Sequence, residues 1–299
     1  MTDPHNLTIC IPAFNEAQAM SRTLCALRMI LPDAEIIVVD DGSSDGTSER
    51  AREVPGVIVI VHERNRGYGA AIKTAIRHST RPVVAWYDAD GQHRPEDLLG
   101  VVEPVLSGKA DAVIGVRGRG SHVRRDRLPG KALLTIVAEA VVHAYVPDLN
   151  SGLRCFRREV IMRYLHLLPD GFSASSTSTV IMMKRGYRLG HVGITTAART
   201  GVSSVRMLRD GFRTIHLLLR LLVLFDAFKF FSMLGGLQVA TGLIYGLTVA
   251  WMMGLGFPVL GAVVILSGIM TFLMGLLCDQ IVALRLERME GMRFPDKSV

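Results

Sequence analysis

The chain has 299 residues, 34 Lys and Arg against 27 Asp and Glu, a net charge of +7, 49% hydrophobic residues and a mean hydropathy of +0.32. That length fits one large domain or two smaller ones, and the hydropathy is high for a purely soluble protein. Cys10, Cys25, Cys155 and Cys278 show no CxxC pairing, which argues against a disulfide framework or a zinc site, and no nucleic-acid-binding motif accompanies the basic charge.

The N-terminal stretch Met1–Thr8 is polar and has no apolar h-region, so no cleavable signal peptide is expected. Up to Val116 the chain alternates apolar runs with helical stretches. Leu7–Ala13, Glu35–Asp40, Val57–Val61, Pro82–Tyr87 and Asp111–Val116 read as strands covered on both faces. Helices are expected near Glu16–Leu31, Thr47–Glu53, Gly69–His78 and Pro95–Leu106. The alternation implies right-handed βαβ units and a parallel sheet.

Beyond Leu128 the pattern is mixed, with helices expected at Lys131–Tyr145 and Ser178–Arg185. From Val202 to Phe228 cations alternate with leucines at helical spacing, which reads as one or two amphipathic helices lying at a membrane surface. No charge occurs between Lys229 and Asp279, long enough for two spans of about twenty residues each. They are placed near Phe230–Met253 and Phe257–Leu277, with a turn at Gly254–Pro258. Arg220 and Lys229 flank one end and Arg285 and Arg288 the other. The positive-inside rule then puts both termini and the N-terminal domain in the cytoplasm. Arg117, Arg119, Arg124, Arg125, Arg127 and Lys131 form one basic cluster, and Arg199, Arg206, Arg209 and Arg213 another. Cations beside a span attract anionic headgroups.

The most informative motif is Asp88-Ala89-Asp90-Gly91-Gln92-His93, at the end of an apolar run. Two carboxylates at the tip of a buried strand make an oxygen-rich site for Mg²⁺ or Mn²⁺, which commonly share such sites with phosphates. Two further loops, Ile11–Glu16 and Val39–Thr47, reach the same edge, where α/β sheets collect ligands. Asp41, Ser43 and Asp45 imitate the start of a calcium loop, but its twelfth position holds Arg52 instead of Glu. Asn65-Arg66-Gly67-Tyr68-Gly69 opens a helix and suits phosphate or sugar contact, or a plain turn. There is neither a GxGxxG after the first strand nor a GxxxxGK[ST].

Together, Pro12–Glu16, Asp40–Thr47, Asn65–Gly69 and Asp88–His93 resemble the family 2 glycosyltransferases of the GT-A fold. Asp148–Arg154 and Arg199–Arg206 resemble later motifs of the branch that acts on dolichyl or polyprenyl phosphate. The resemblance covers roughly residues 7–210. It implies a Rossmann-like α/β GT-A domain over 1–200, to which the charge and hydropathy pattern adds amphipathic helices over 201–229, a transmembrane hairpin over 230–279 and a cytoplasmic tail over 280–299. It implies that Asp90 binds Mg²⁺ or Mn²⁺ with Gln92, and that Asp88 assists through metal or ribose. Asp40 and Asp41 would hold the base and ribose of a UDP- or GDP-sugar, with Pro12, Asn15, Glu16 and Gly67 lining that pocket.

A hydroxyl acceptor needs a general base. Many family members carry an acidic pair near the position of Ser175-Ser176, yet Gly171–Thr177 holds no carboxylate here. A phosphate monoester has a second pKa near 6 and attacks as a dianion, so it needs only cations to place it. Arg117, Lys131, Arg199 and Arg206 are the candidates, with Ser203 and Ser204 adding hydrogen bonds. Asp148 orients acceptor or sugar, or caps a turn; Arg154 pairs with it or touches phosphate. The expected partners are therefore a nucleotide-sugar donor, a polyprenyl or dolichyl phosphate and a lipid bilayer, with a homo-oligomer left open. The alternatives are a processive polysaccharide synthase and an inactive membrane scaffold. Against the first, neither Trp86 nor Trp251 lies in a Gln-x-x-Arg-Trp motif.

Overall fold

The computed structural model describes residues 4–118, 139, 144–149, 151–196, 207–254 and 256–290, the side chains of 207–226 and 285–290 excepted. The chain forms two units, 1–210 and 211–299. In the first, β1 (Leu7–Ala13), β2 (Glu35–Asp40) and β3 (Val57–Val61) have the bounds expected from their apolar runs. They alternate with α1 (Ala17–Ile30), α2 (Thr47–Arg52) and α3 (Tyr68–His78). β4 (Val83–Trp86) leads to α4 (Pro95–Leu106), which opens on proline with Glu96 and Asp97 in its first turn. There the fixed φ and the helix dipole both help.

β1 to β4 are mutually parallel. Beyond them come β5 (Ala112–Arg117), β6 (Arg154–Arg157), α5 (Arg158–Tyr164), α6 (Ala174–Lys184) and β7 (Leu189–Ile194). The sheet order is β3-β2-β1-β4-β6-β5-β7. β6 inserts between β4 and β5, antiparallel to both, and β7 pairs with β5 in parallel. The sheet is therefore mixed, though mostly parallel. Every residue of β1 is buried, because helices cover both faces. Leu7, Ile9 and Ile11 join Leu24 and Leu27 of α1 and Leu98 and Val101 of α4 in one core.

The β5–β6–β7 side is fastened by an acid. Asp111 accepts from Arg157 at 3.2 Å and from Arg188 at 3.0 Å. Hydrogen bonds from Arg188, working against burial and joined by Arg157, hold its carboxyl at about 2.

The second unit is a helical pair. Residues 202–206 lie outside the described residues, but 207–253 form one continuous helix, α7 (Met207–Met253). The segment expected to be amphipathic and the first span therefore run on as one helix from Met207. No proline interrupts 207–253, so nothing removes the helical hydrogen bonds. At 1.5 Å per residue, α7 is about 70 Å long. Gly254, at φ 62°, ends it, and α8 (Val259–Glu290) begins beyond Pro258. Ala227–Met253 and Val259–Leu284 are long and apolar enough to cross a membrane. Glycines bring the two helices together: a Cβ on Gly235 would lie 2.6 Å from the Gly268 carbonyl, and one on Gly242 2.9 Å from that of Gly261. Thr271 donates across the pair to Gln238 Oε1 at 2.9 Å.

Candidate active site

The parallel strands deliver three loops to one edge, and backbone amides lace the first two together. Asn15 N donates to Ser43 Oγ at 2.9 Å, Glu16 N to Thr47 Oγ1 at 2.9 Å, and Ala17 N to Asp45 Oδ2 at 3.1 Å. Ser44 N returns a bond to Asn15 Oδ1 at 3.0 Å, which holds Asn15 at φ 55°. Asp45 Oδ1 also accepts from Thr47 N at 3.1 Å, so Asp45 joins the first residue of α2 to that of α1. Burial raises its carboxyl, but the Thr47 hydroxyl and the amides of Ala17 and Thr47 outweigh that and lower it. Pro12 lies buried within β1.

Asp40 and Asp41 are nearly inaccessible. Asp40 Oδ1 accepts from Ser43 N at 2.9 Å. Both oxygens of Asp41 serve the loop after β3: Oδ1 accepts from Arg66 N at 2.9 Å and meets His62 Nδ1 at 2.7 Å, and Oδ2 accepts from Gly67 N at 2.7 Å. Asp41 therefore shapes this edge through the 65–67 backbone. A cavity of about 430 Å³ opens there, lined by Val61, His62, Glu63, Arg64 and Arg66.

Gly67 and Gly69 have a packing task. Gly67 sits at φ 105°, and a Cβ on it would lie 2.5 Å from the Asp170 carbonyl. A Cβ on Gly69 would lie 2.1 Å from that of Pro169. The close approach lets Tyr68, between them, reach Asp88, to whose Oδ1 its hydroxyl donates at 2.9 Å. Sequence reading did not find Tyr68; its flanking glycines were the available signal.

Asp88 lies just past β4, with 28% of its side chain exposed. Its Oδ2 is 3.6 Å from His93 Nε2. Gly152 leaves it room, since a Cβ there would lie 1.8 Å from Oδ2. Burial would raise the Asp88 carboxyl, but His93, Tyr68 and Arg117 together hold it below its ordinary value. Asp90 Oδ1 accepts from Gln92 N at 3.1 Å. Among the described residues no three His, Cys, Asp or Glu side chains form a closed metal cage. Two carboxylates and an amide at an open edge nevertheless suit a hard divalent cation, whose other positions would fall to phosphate and water. The residues fit that group.

Asp148 is engaged by Arg117 through two bonds of 2.7 Å. Arg117 thus takes the place beside Asp148 that was one of the two alternatives for Arg154. Arg154 is instead completely buried on β6, beside Trp86 in the ladder. It donates to the carbonyls of Leu149, Ser151 and Ser175 at 2.7, 2.6 and 2.7 Å and to Thr179 Oγ1 at 2.6 Å. Burial pushes its guanidinium down to about 10, against the pull of Tyr68, Asp148 and Asp88. It therefore ties the loop bearing Asp148 and Gly152 to α6. Ser175 and Ser176, at the place where a hydroxyl acceptor would need a base, are buried hydroxyls. Lys131, Arg199, Ser203 and Arg206 lie outside the described residues.

Comparison with known proteins decides the family. The model of glycosyl transferase family 2 matches residues 8–165, and that of the GtrB C-terminal hairpin matches residues 228–284. The chain belongs to glycosyl transferase family 2. Among family 2 relatives, the glycosyltransferase AglJ of Haloferax volcanii is 29% identical over 97% of this chain and 98% of its own. The UDP-N-acetylglucosamine–dolichyl-phosphate N-acetylglucosaminyltransferase of Methanococcus voltae is 28% identical over 63% of this chain and 84% of its own. Of solved structures, glucosyl-3-phosphoglycerate synthase of Mycobacterium tuberculosis, in complex with Mn²⁺, UDP and glucosyl-3-phosphoglycerate, superimposes with a TM-score of 0.59 at 22% identity. That match covers 73% of this chain and 78% of the synthase. It shows the shared GT-A fold, and the family 2 domain is followed by two apolar helices.

Proposed function

We propose that this chain transfers a sugar, with inversion, from a UDP- or GDP-sugar to a polyprenyl or dolichyl phosphate at the cytoplasmic face of a membrane that residues 227–284 span twice. One observation carries the reading: acids stand at the end of β4, while the start of α6 holds buried serines and no carboxylate. A site without a base beside the acceptor suits a nucleophile that arrives already ionised, as a phosphate monoester does at neutral pH. An oxygen of that phosphate attacks the anomeric carbon, the bond to the donor's β-phosphate breaks, and the nucleoside diphosphate leaves. No proton need move. The Methanococcus relative, named for a dolichyl-phosphate acceptor, supports the same class.

Asp90 and Gln92, with Asp88, would hold Mg²⁺ or Mn²⁺, which when bound supplies charge stabilisation to the departing diphosphate. Tyr68 and His93 fix the Asp88 carboxylate. Asp40 would face the base and ribose, Asp41 would shape their pocket, and Pro12, Asn15, Glu16 and Gly67 would line it. Arg117, oriented by Asp148, would meet the acceptor phosphate together with Lys131, Arg199, Ser203 and Arg206. The protein in detergent, with Mn²⁺, labelled UDP- and GDP-sugars and polyprenyl phosphate, is expected to form a lipid-linked monophosphosugar. Absence of turnover with every donor would mark an inactive scaffold and end the proposal.

A further inference from the structure

Phe172 is a large apolar side chain beside the site that the mechanism above does not use. It is 75% exposed. Its loop is firmly held: Ala70 N donates to the Asp170 carbonyl at 3.0 Å, and Lys73 Nζ donates to the Leu168 carbonyl at 3.1 Å and pairs with Asp170. The bare contacts of Gly67 and Gly69 against Asp170 and Pro169 close the same joint. One face of the Phe172 ring stacks on Tyr68, centroids 5.2 Å apart and planes at 20°. The Tyr68 hydroxyl in turn donates to Asp88. An aromatic ring is thus fixed one stacking contact and one hydrogen bond away from the candidate diphosphate site, with most of its surface open.

Water gains nothing from such a surface, and a rigid loop cannot fold it away. A hexose could lay its C–H face on such a ring, but its hydroxyls would still need hydrogen-bond partners, which a phenyl ring does not offer. The hydrocarbon directly joined to an acceptor phosphate needs an apolar surface close to where that phosphate reacts. We infer that the open surface of Phe172 receives the first isoprenyl units of the acceptor and so helps to select a prenyl phosphate over a water-soluble one. The inference rests on the acceptor class proposed above.

Binding of farnesyl phosphate to the full chain, measured calorimetrically without donor, tests it. Covering roughly half a phenyl ring is expected to make Phe172→Ala bind about tenfold more weakly than wild type. Phe172→Leu should recover most of the affinity, and the affinity for UDP or GDP with Mn²⁺ should stay unchanged in both variants. The exposed position leaves the fold intact, checked by an unchanged melting temperature. Equal farnesyl phosphate affinity in wild type and Phe172→Ala sinks the assignment while sparing the acceptor class. A parallel loss of nucleotide affinity assigns the ring to the donor and overturns it too. A wild type that binds no prenyl phosphate overturns the acceptor class, and this inference falls with it.

Discussion

Replacing Gly152 by alanine would probe how closely the site is built around Asp88. The new Cβ would lie 1.8 Å from Asp88 Oδ2, 2.5 Å from Cγ and 2.8 Å from Oδ1. Cβ contacts under 3.0 Å essentially do not occur, so Oδ2 must retreat from 1.8 Å by about 1.2 Å. Gly152 does not occupy the left-handed region, so alanine adds no backbone strain there. The fold loses only the cost of local overpacking, about 1–3 kcal/mol. Asp88 loses more, because a shift of that size breaks its 2.9 Å bond from Tyr68. Displacing a catalytic group by about 1 Å costs on the order of a hundredfold in rate, equivalent to about 2.7 kcal/mol. Three measurements check this: kcat at saturating donor and acceptor, the dissociation constant for UDP or GDP with Mn²⁺, and the melting temperature. In an Asp88→Ala background the second substitution should add almost nothing, since the two share one contact. Gly152→Ala turning over within about threefold of wild type, or fully additive losses in the double variant, would refute the reasoning.

Asp90→Ala is expected to abolish transfer and metal-dependent donor binding while leaving the protein folded; full activity would remove Asp90 from the metal site. Arg154→Met leaves the carbonyls of Leu149, Ser151 and Ser175 without their buried donor and should cost on the order of 3 kcal/mol. A melting temperature equal to wild type would contradict that. Asp111 makes an acid prediction. Its folded-state carboxyl titrates at about 2, below the ordinary 3.8, so its contribution is complete above pH 3.8 and fades as the pH falls toward 2. The guanidinium partners are about half exposed, so solvent screening keeps the contribution small. Urea unfolding between pH 5 and pH 2.5 should show wild type losing stability that Asp111→Asn has already lost; parallel curves would show that the ion pairs contribute nothing.

The first half of the sheet was legible because continuous apolar runs such as Leu7–Ala13 and Glu35–Asp40 have few other uses. β6 was not. Arg154-Cys155-Phe156-Arg157 is four residues long and begins with arginine, and it forms because a central slot between β4 and β5 and the carbonyls around Arg154 accept it. β7 carries Gly190 and Gly193 and a histidine, residues that weaken a strand until β5 pairs with it. α6 begins earlier than its periodicity implies, at Ala174, since serine and threonine favour caps and turns. Here Ser175 and Thr179 give oxygens to Arg154 instead. In the site, the acids Asp40, Asp41, Asp88, Asp90 and Asp148 stood out as chemistry. Their partners did not, because Tyr68, His93, Gly152 and Arg117 meet them only through the fold. Asp41 looked like a ligand residue, yet its oxygens hold protein backbone and His62.

The short connection between α7 and α8 bears on how the protein is made. Gly254–Pro258 carries no charge, and Gly235, Gly242, Gly261 and Gly268 let the two helices seat against each other with little volume between them. On the proposed topology, biogenesis requires passage of only a short neutral connection to the far side. The helices are then free to enter lipid as a paired hairpin, with the Thr271–Gln238 bond already satisfied, and neither has to shelter those polar groups alone.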